Sequence, residues 1–189
     1  PLANWDRPIA NPAGSQQHTA VRPPYRPESV VQPNTPAEVT PAAGITAIAR
    51  SNWTRTDPVK SKVNAMNGIS KLTIHHEGWT AVDFTSKTTT AERLEKIRKY
   101  HTGENRWGDI GYHYIVDRAG RVWEGRPIQY QGAHVSKNNE HNVGILVLGN
   151  FEKQSPSSAQ LKSLYTTTAA LTKQHRIKTK LVRSHKEIN

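Results

Sequence analysis

The segment Val143–Leu148 reads VGILVL and offers no polar side chain to water. A strand with one wet face alternates polar and apolar residues, so an unbroken apolar run demands cover on both sides. That is the pattern of an interior strand in a parallel or mixed sheet. Two amphipathic segments can supply the cover. Thr89-Thr90-Ala91-Glu92 has capping-box spacing ahead of ERLEKIRKYH, where Leu94 and Ile97 give an apolar stripe. Ser155-Pro156 opens a second helix in which Leu161, Leu164, Thr168 and Leu171 recur at steps of three and four. Further strands are expected at Lys71–His76, ended by Glu77-Gly78, and at Leu181–Arg183, which leads into Ser184-His185. Tyr112–Asp117 and Val122–Gly125 read as a strand pair joined by Arg118-Ala119-Gly120, with the glycine at a positive φ. The expected fold class is α/β, a central mixed β-sheet flanked by helices.

Nine of the 12 prolines precede residue 45, in a stretch without apolar periodicity that holds three arginines and three acids. This predicts an extended, Pro-rich arm over residues 1–44 ahead of one domain over residues 45–189. Trp5, Tyr25 and the prolines of the arm are expected to dock on that domain or on an unknown partner. Because the arm is neutral, the formal charge of +11 belongs to the domain, where 23 basic residues face 12 acids. Such a surface favours polyanions. Nucleic acid is one candidate, although the basic residues are scattered without an aromatic-interleaved stripe or a recognisable binding motif. The bacterial cell wall, with its free carboxylates and anionic polymers, is another. No apolar run approaches the ~20 residues of a membrane-spanning helix, and no charged stretch followed by an apolar run stands at the start of these residues. The absence of cysteine eliminates a disulfide scaffold, a Cys-rich zinc module and a Cys nucleophile within these residues.

Chemistry can gather at strand ends. His75 and His76 close the Lys71–His76 strand, and successive strand residues point to opposite faces, so one of the two faces a given cleft. His185 follows 110 residues after His75, again at a strand end. Two such histidines at the carboxyl edge of neighbouring strands are a start for a zinc site, which takes neutral imidazole and keeps a position open in catalytic use. The run Trp107-Gly108-Asp109-Ile110-Gly111-Tyr112-His113-Tyr114 is a turn into an aromatic strand. A phenol there can donate a hydrogen bond to a developing oxyanion. Gly132-Ala133-His134 and His141-Asn142-Val143-Gly144 bring further polar groups to strand edges.

The order of these pieces is more specific than any one of them. Ile48-Ala49-Arg50-Ser51-Asn52-Trp53, Leu72-Thr73-Ile74-His75-His76, Trp107–His113, Gly120–Arg126, Gly132-Ala133-His134, Asn142-Val143-Gly144-Ile145, Gly149-Asn150-Phe151 and Ser184–Ile188 follow one another. The succession resembles the peptidoglycan recognition protein / N-acetylmuramoyl-L-alanine amidase (type 2 amidase) family over about residues 45–189. The Arg-x-x-Trp opening favours the recognition branch. The resemblance implies that fold, and a Zn2+-dependent hydrolysis of the amide between N-acetylmuramic acid and L-alanine in peptidoglycan. It makes His75 and His185 zinc ligands and Tyr112 the catalytic tyrosine. It gives substrate contacts to Trp79, Trp107, His113, His134 and Asn142. It implies a muropeptide partner, no specific nucleic acid and no transmembrane segment, in a secreted, periplasmic or wall-associated protein. The family's third ligand, a Cys or Asp, is expected roughly eight to ten residues beyond His185, and therefore past Asn189. Two other functions stay open: a non-catalytic peptidoglycan-binding module, and an amidase-like structural subunit of a larger envelope or virion assembly.

Overall fold

The computed structural model describes residues 44–188. The expected arm, with Trp5 and Tyr25, lies outside the described residues, as does Asn189. In chain order the elements are β1 (Ala47–Ile48), β2 (Lys71–His76), α1 (Lys87–Gly103), β3 (Tyr114–Val116), β4 (Val122–Glu124), β5 (Asn142–Val147), α2 (Ser158–His175) and β6 (Val182–Ser184). The strands form one six-stranded sheet in the order β1-β4-β3-β5-β2-β6. β3 and β4 pair antiparallel and every other neighbouring pair is parallel. β5 is interior, and each of its six residues is buried. The mixed sheet flanked by helices is the α/β architecture that the apolar run of β5 requires.

The sheet divides the core in two. On one face Leu72, Val116, Val143, Ile145 and Val147 pack with Leu171 of α2. On the other Ile115, Trp123, Leu146 and Leu148 pack with Leu94 and Ile97 of α1. The two edge strands, β1 and β6, have two and three residues, which leaves little unpaired backbone to recruit another chain. Gly120, in the β3–β4 turn, has φ 79° as expected.

Three local expectations shift. α1 starts before the Thr89–Glu92 box, because Ser86 caps it: its side chain accepts from Thr89 N–H at 3.3 Å. α2 starts at Ser158, and its inner face carries Gln160, Leu164, Thr167 and Leu171, while Leu161 is half exposed. The inner face differs from the expected one because Gln160, a polar residue, is fully buried and donates to the carbonyl of Leu148 at 2.8 Å. Finally, β3 is shorter than Tyr112–Asp117. The Gly144 N–H bonds to the His113 ring, at Nδ1 and 3.0 Å, so a side chain stands where a backbone rung would continue the ladder.

Candidate functional site

The register of β2 on β6 brings the two strand-end histidines together. Ile74 pairs with Ser184, so His75 and His185 are the next residues along adjacent parallel strands. Their ring centroids lie 4.8 Å apart, close to the spacing of neighbouring strands. His75 is opposite Leu146 and so shares the α1 side of the sheet. His76 points to the other face, stacks on Phe151 at 5.9 Å and accepts the Phe151 N–H at Nδ1. His185 is partly exposed, whereas His75 is buried.

Tyr112 and His134 complete the cluster. The Tyr112 ring is 5.2 Å from that of His75 and stacks at 6.2 Å on His134. His134 Nδ1 is 3.0 Å from His75 Nε2, and its Nε2 is 3.2 Å from the backbone oxygen of Asn142. The structure turns His113, His134 and Asn142 inward. His113 donates from Nε2 to the Tyr130 carbonyl at 2.9 Å while its Nδ1 takes the Gly144 N–H. The Asn142 side chain donates to the Asn138 carbonyl at 2.8 Å and accepts the Thr73 hydroxyl at 3.0 Å. These three side chains build the floor beneath His75 and Tyr112.

The partly exposed tryptophans form the rim. Trp107 packs on His101 with ring centroids 4.6 Å apart. Trp79 meets Tyr100 edge-on at 5.4 Å and lies under the guanidinium of Arg93 at 4.7 Å. Arg93 in turn pairs with the buried carboxylate of Glu77.

Two residues that hold the site, His101 and Arg126, were not anticipated. His101 Nδ1 accepts the N–H of Gly111, the residue before Tyr112, at 3.1 Å. It follows Leu94 and Ile97 at steps of three and four, so the helical period would have found it. Arg126 is buried and donates to the carbonyls of Ile110, Gln131 and Asp109, which pins the loop that carries Tyr112. No local pattern marks an arginine used in this way.

Burial dominates the electrostatics. It lowers the pKa of His75 well below 6.5, assisted by His134 and His185, so the imidazole is neutral and has a lone pair to give. Burial likewise lowers His113 to about 4 and His101 to about 3. Two adjacent imidazoles, one of them held neutral, fit zinc in donor type and spacing. No group of three His, Cys, Asp or Glu side chains able to hold a metal occurs among the described residues, so these do not by themselves make up the three protein donors that a catalytic zinc takes.

Comparison with known proteins identifies the family. The family described as N-acetylmuramoyl-L-alanine amidase matches residues 65–189. Peptidoglycan-recognition protein SC2 of Drosophila melanogaster is 35% identical over 119 residues, 62% of this chain and 62% of that protein. The chain thus spans a little under two thirds of that relative's length. The human N-acetylmuramoyl-L-alanine amidase is 33% identical over 96 residues, 51% of this chain and 17% of the human protein. Among solved structures, bumblebee PGRP-SA superposes with a TM-score of 0.68 at 28% identity, covering 77% of this chain and 86% of that one. With the family match running through more than half of the chain and the fold shared, the chain belongs to the peptidoglycan recognition protein / N-acetylmuramoyl-L-alanine amidase (type 2 amidase) family.

Proposed function

We propose that this protein is a zinc-dependent amidase that cleaves the bond between the lactyl group of N-acetylmuramic acid and the L-alanine of the stem peptide in peptidoglycan. The observation that carries the reading is the juxtaposition of His75 and His185, ring centroids 4.8 Å apart, with the Tyr112 ring 5.2 Å from His75. His75 and His185 hold the metal. When bound, zinc polarises a carbonyl and brings the pKa of a coordinated water from ~16 toward ~7. Tyr112 donates its phenolic O–H to the amide oxygen as negative charge develops there, a stabilisation present chiefly in the transition state. Trp79 and Trp107 offer partly exposed ring faces to the apolar faces of sugar and peptide. The formal charge of +11 supports retention on anionic wall polymers, and the setting is secreted, periplasmic or wall-associated.

The names of the relatives, a recognition protein and an amidase, support the substrate class. The test is metal analysis and zinc titration of the protein, followed by chromatography of a purified muropeptide after incubation. His75→Ala and His185→Ala are each expected to abolish zinc retention and release of the stem peptide, while muropeptide binding persists. Full turnover by either variant overturns the assignment. Binding of muropeptide by the unsubstituted protein, with neither zinc nor turnover, makes it a recognition module.

A further inference from the structure

Beneath His75, the imidazole of His134 is held from several directions. Its backbone N–H and that of Val135 both donate to Asn139 Oδ1, each at 2.9 Å. Its ring fills a slot whose walls are Gly132 and Gly144: a methyl group on Gly144 would stand 2.6 Å from His134 Cδ2, and one on Gly132 would collide with the same atom. Neither glycine is needed for its backbone angles, since neither has a positive φ. What they give is space for a ring against the sheet. Nε2 of that ring lies 3.2 Å from the Asn142 carbonyl, which can only accept, so Nε2 carries the proton. The His134 ring is buried among the rings of His75, Tyr112 and His113, a setting in which a second, charging proton would lie unpaired and away from water, so the ring carries one proton and Nδ1 is an acceptor. The atom 3.0 Å away, His75 Nε2, must then be the donor.

We propose that His134 is a positioning residue for His75: accepting the His75 Nε2–H, it fixes that ring's orientation and tautomer and leaves Nδ1 as the nitrogen with a free lone pair. The chain of donors runs His75 Nε2–H to His134 Nδ1, then His134 Nε2–H to the Asn142 carbonyl on β5. The ring that offers its lone pair is therefore anchored to the most buried strand of the sheet. Its use for a metal rests on the amidase reading above, whereas the tautomer itself does not. A metal-ligating imidazole whose other nitrogen is held in this way binds more tightly, because the productive tautomer and rotamer are set before the ion arrives.

The decisive measurement needs no substitution: ring-nitrogen NMR of the 15N-histidine-labelled, metal-free full chain. The expected result is a proton on Nε2 and not on Nδ1 of His75, with His134 likewise protonated on Nε2. A proton on His75 Nδ1 overturns the proposal. Zinc titration then reads the consequence. His134→Leu is expected to weaken zinc affinity about 10–100-fold. His134→Gln, whose carboxamide can accept on one side and donate on the other, is expected to recover most of it. Equal affinity in the unsubstituted protein and His134→Leu overturns the positioning role. Failure of the unsubstituted protein to bind zinc sinks the amidase reading alone, and the NMR result still decides the tautomer.

Discussion

Tyr112 has neighbours that constrain what its phenol can do. The ring is buried among His75, His134 and His101, with centroids 5.2, 6.2 and 5.8 Å away, and the preceding Gly111 N–H is tied to His101. On the proposed amidase reading, a ring so fixed would bring its hydroxyl to the transition state without ordering cost, the condition under which one donor is worth most. Tyr112→Phe keeps the packing and removes the O–H. It is expected to lower kcat by ~10²–10³ with zinc affinity unchanged, measured as initial rates of stem-peptide release alongside a zinc titration. A raised KM at unchanged kcat would instead make the hydroxyl a binding group. His75, His185 and Tyr112 are unremarkable one by one in the sequence, and only the ordered succession of motifs singled them out. The inward roles of His113 and Asn142 were not legible in it. Whether an imidazole replaces a ladder rung, or a carboxamide bridges two backbones, depends on which strand lies beside it, and only the assembled sheet specifies that.

At the scale of elements, the two helices differ in how they are tied down. α1 lines the candidate site, while α2 covers the opposite face. The α2 start is a complete capping box: Ser157 Oγ accepts the Gln160 N–H and Gln160 Oε1 accepts the Ser157 N–H, both at 3.0 Å. Ser157 Oγ also donates to the Arg118 carbonyl at 2.9 Å, which joins the helix to the β3–β4 turn. Ser157→Ala is expected to cost about 1 kcal/mol and to lower Tm by about 2–4 °C, read by thermal unfolding, with zinc affinity unaltered. An effect on zinc binding would show that the two faces of the sheet are coupled. Here the sequence was a fair guide to element type and a poorer one to boundaries. β2 and β5 were evident from β-rich runs, but β1, only two residues long, is a strand by virtue of pairing with β4. Its residues, Ala47 and Ile48, carry no local signal that distinguishes them from a loop.

For the whole molecule, the buried histidines make stability depend on pH in a defined direction. In the unfolded chain a histidine titrates near pH 6.5. In the fold, burial lowers His101 to about 3 and His113 to about 4. Below pH 6.5 the unfolded state therefore binds protons that the folded state refuses. Each depressed pKa contributes stability that is present above pH ~6.5, and it is lost as pH falls toward 4 for His113 and toward 3 for His101. At pH 5 the loss is about 2 kcal/mol for each residue, since each remains neutral in the fold about 1.5 pH units below its unfolded pKa. Denaturant unfolding of metal-free protein at pH 7.5 and pH 5.0 is expected to differ by at least ~4 kcal/mol. Growing self-repulsion of an already basic chain, formal charge +11, acts in the same direction, so the two causes must be separated. His101→Gln does so: it leaves the overall charge nearly as it was and removes one refused proton. The difference between the two pH values should shrink by about 2 kcal/mol, whatever the variant's absolute stability. An undiminished difference would assign the acid sensitivity to charge repulsion and not to the buried imidazoles.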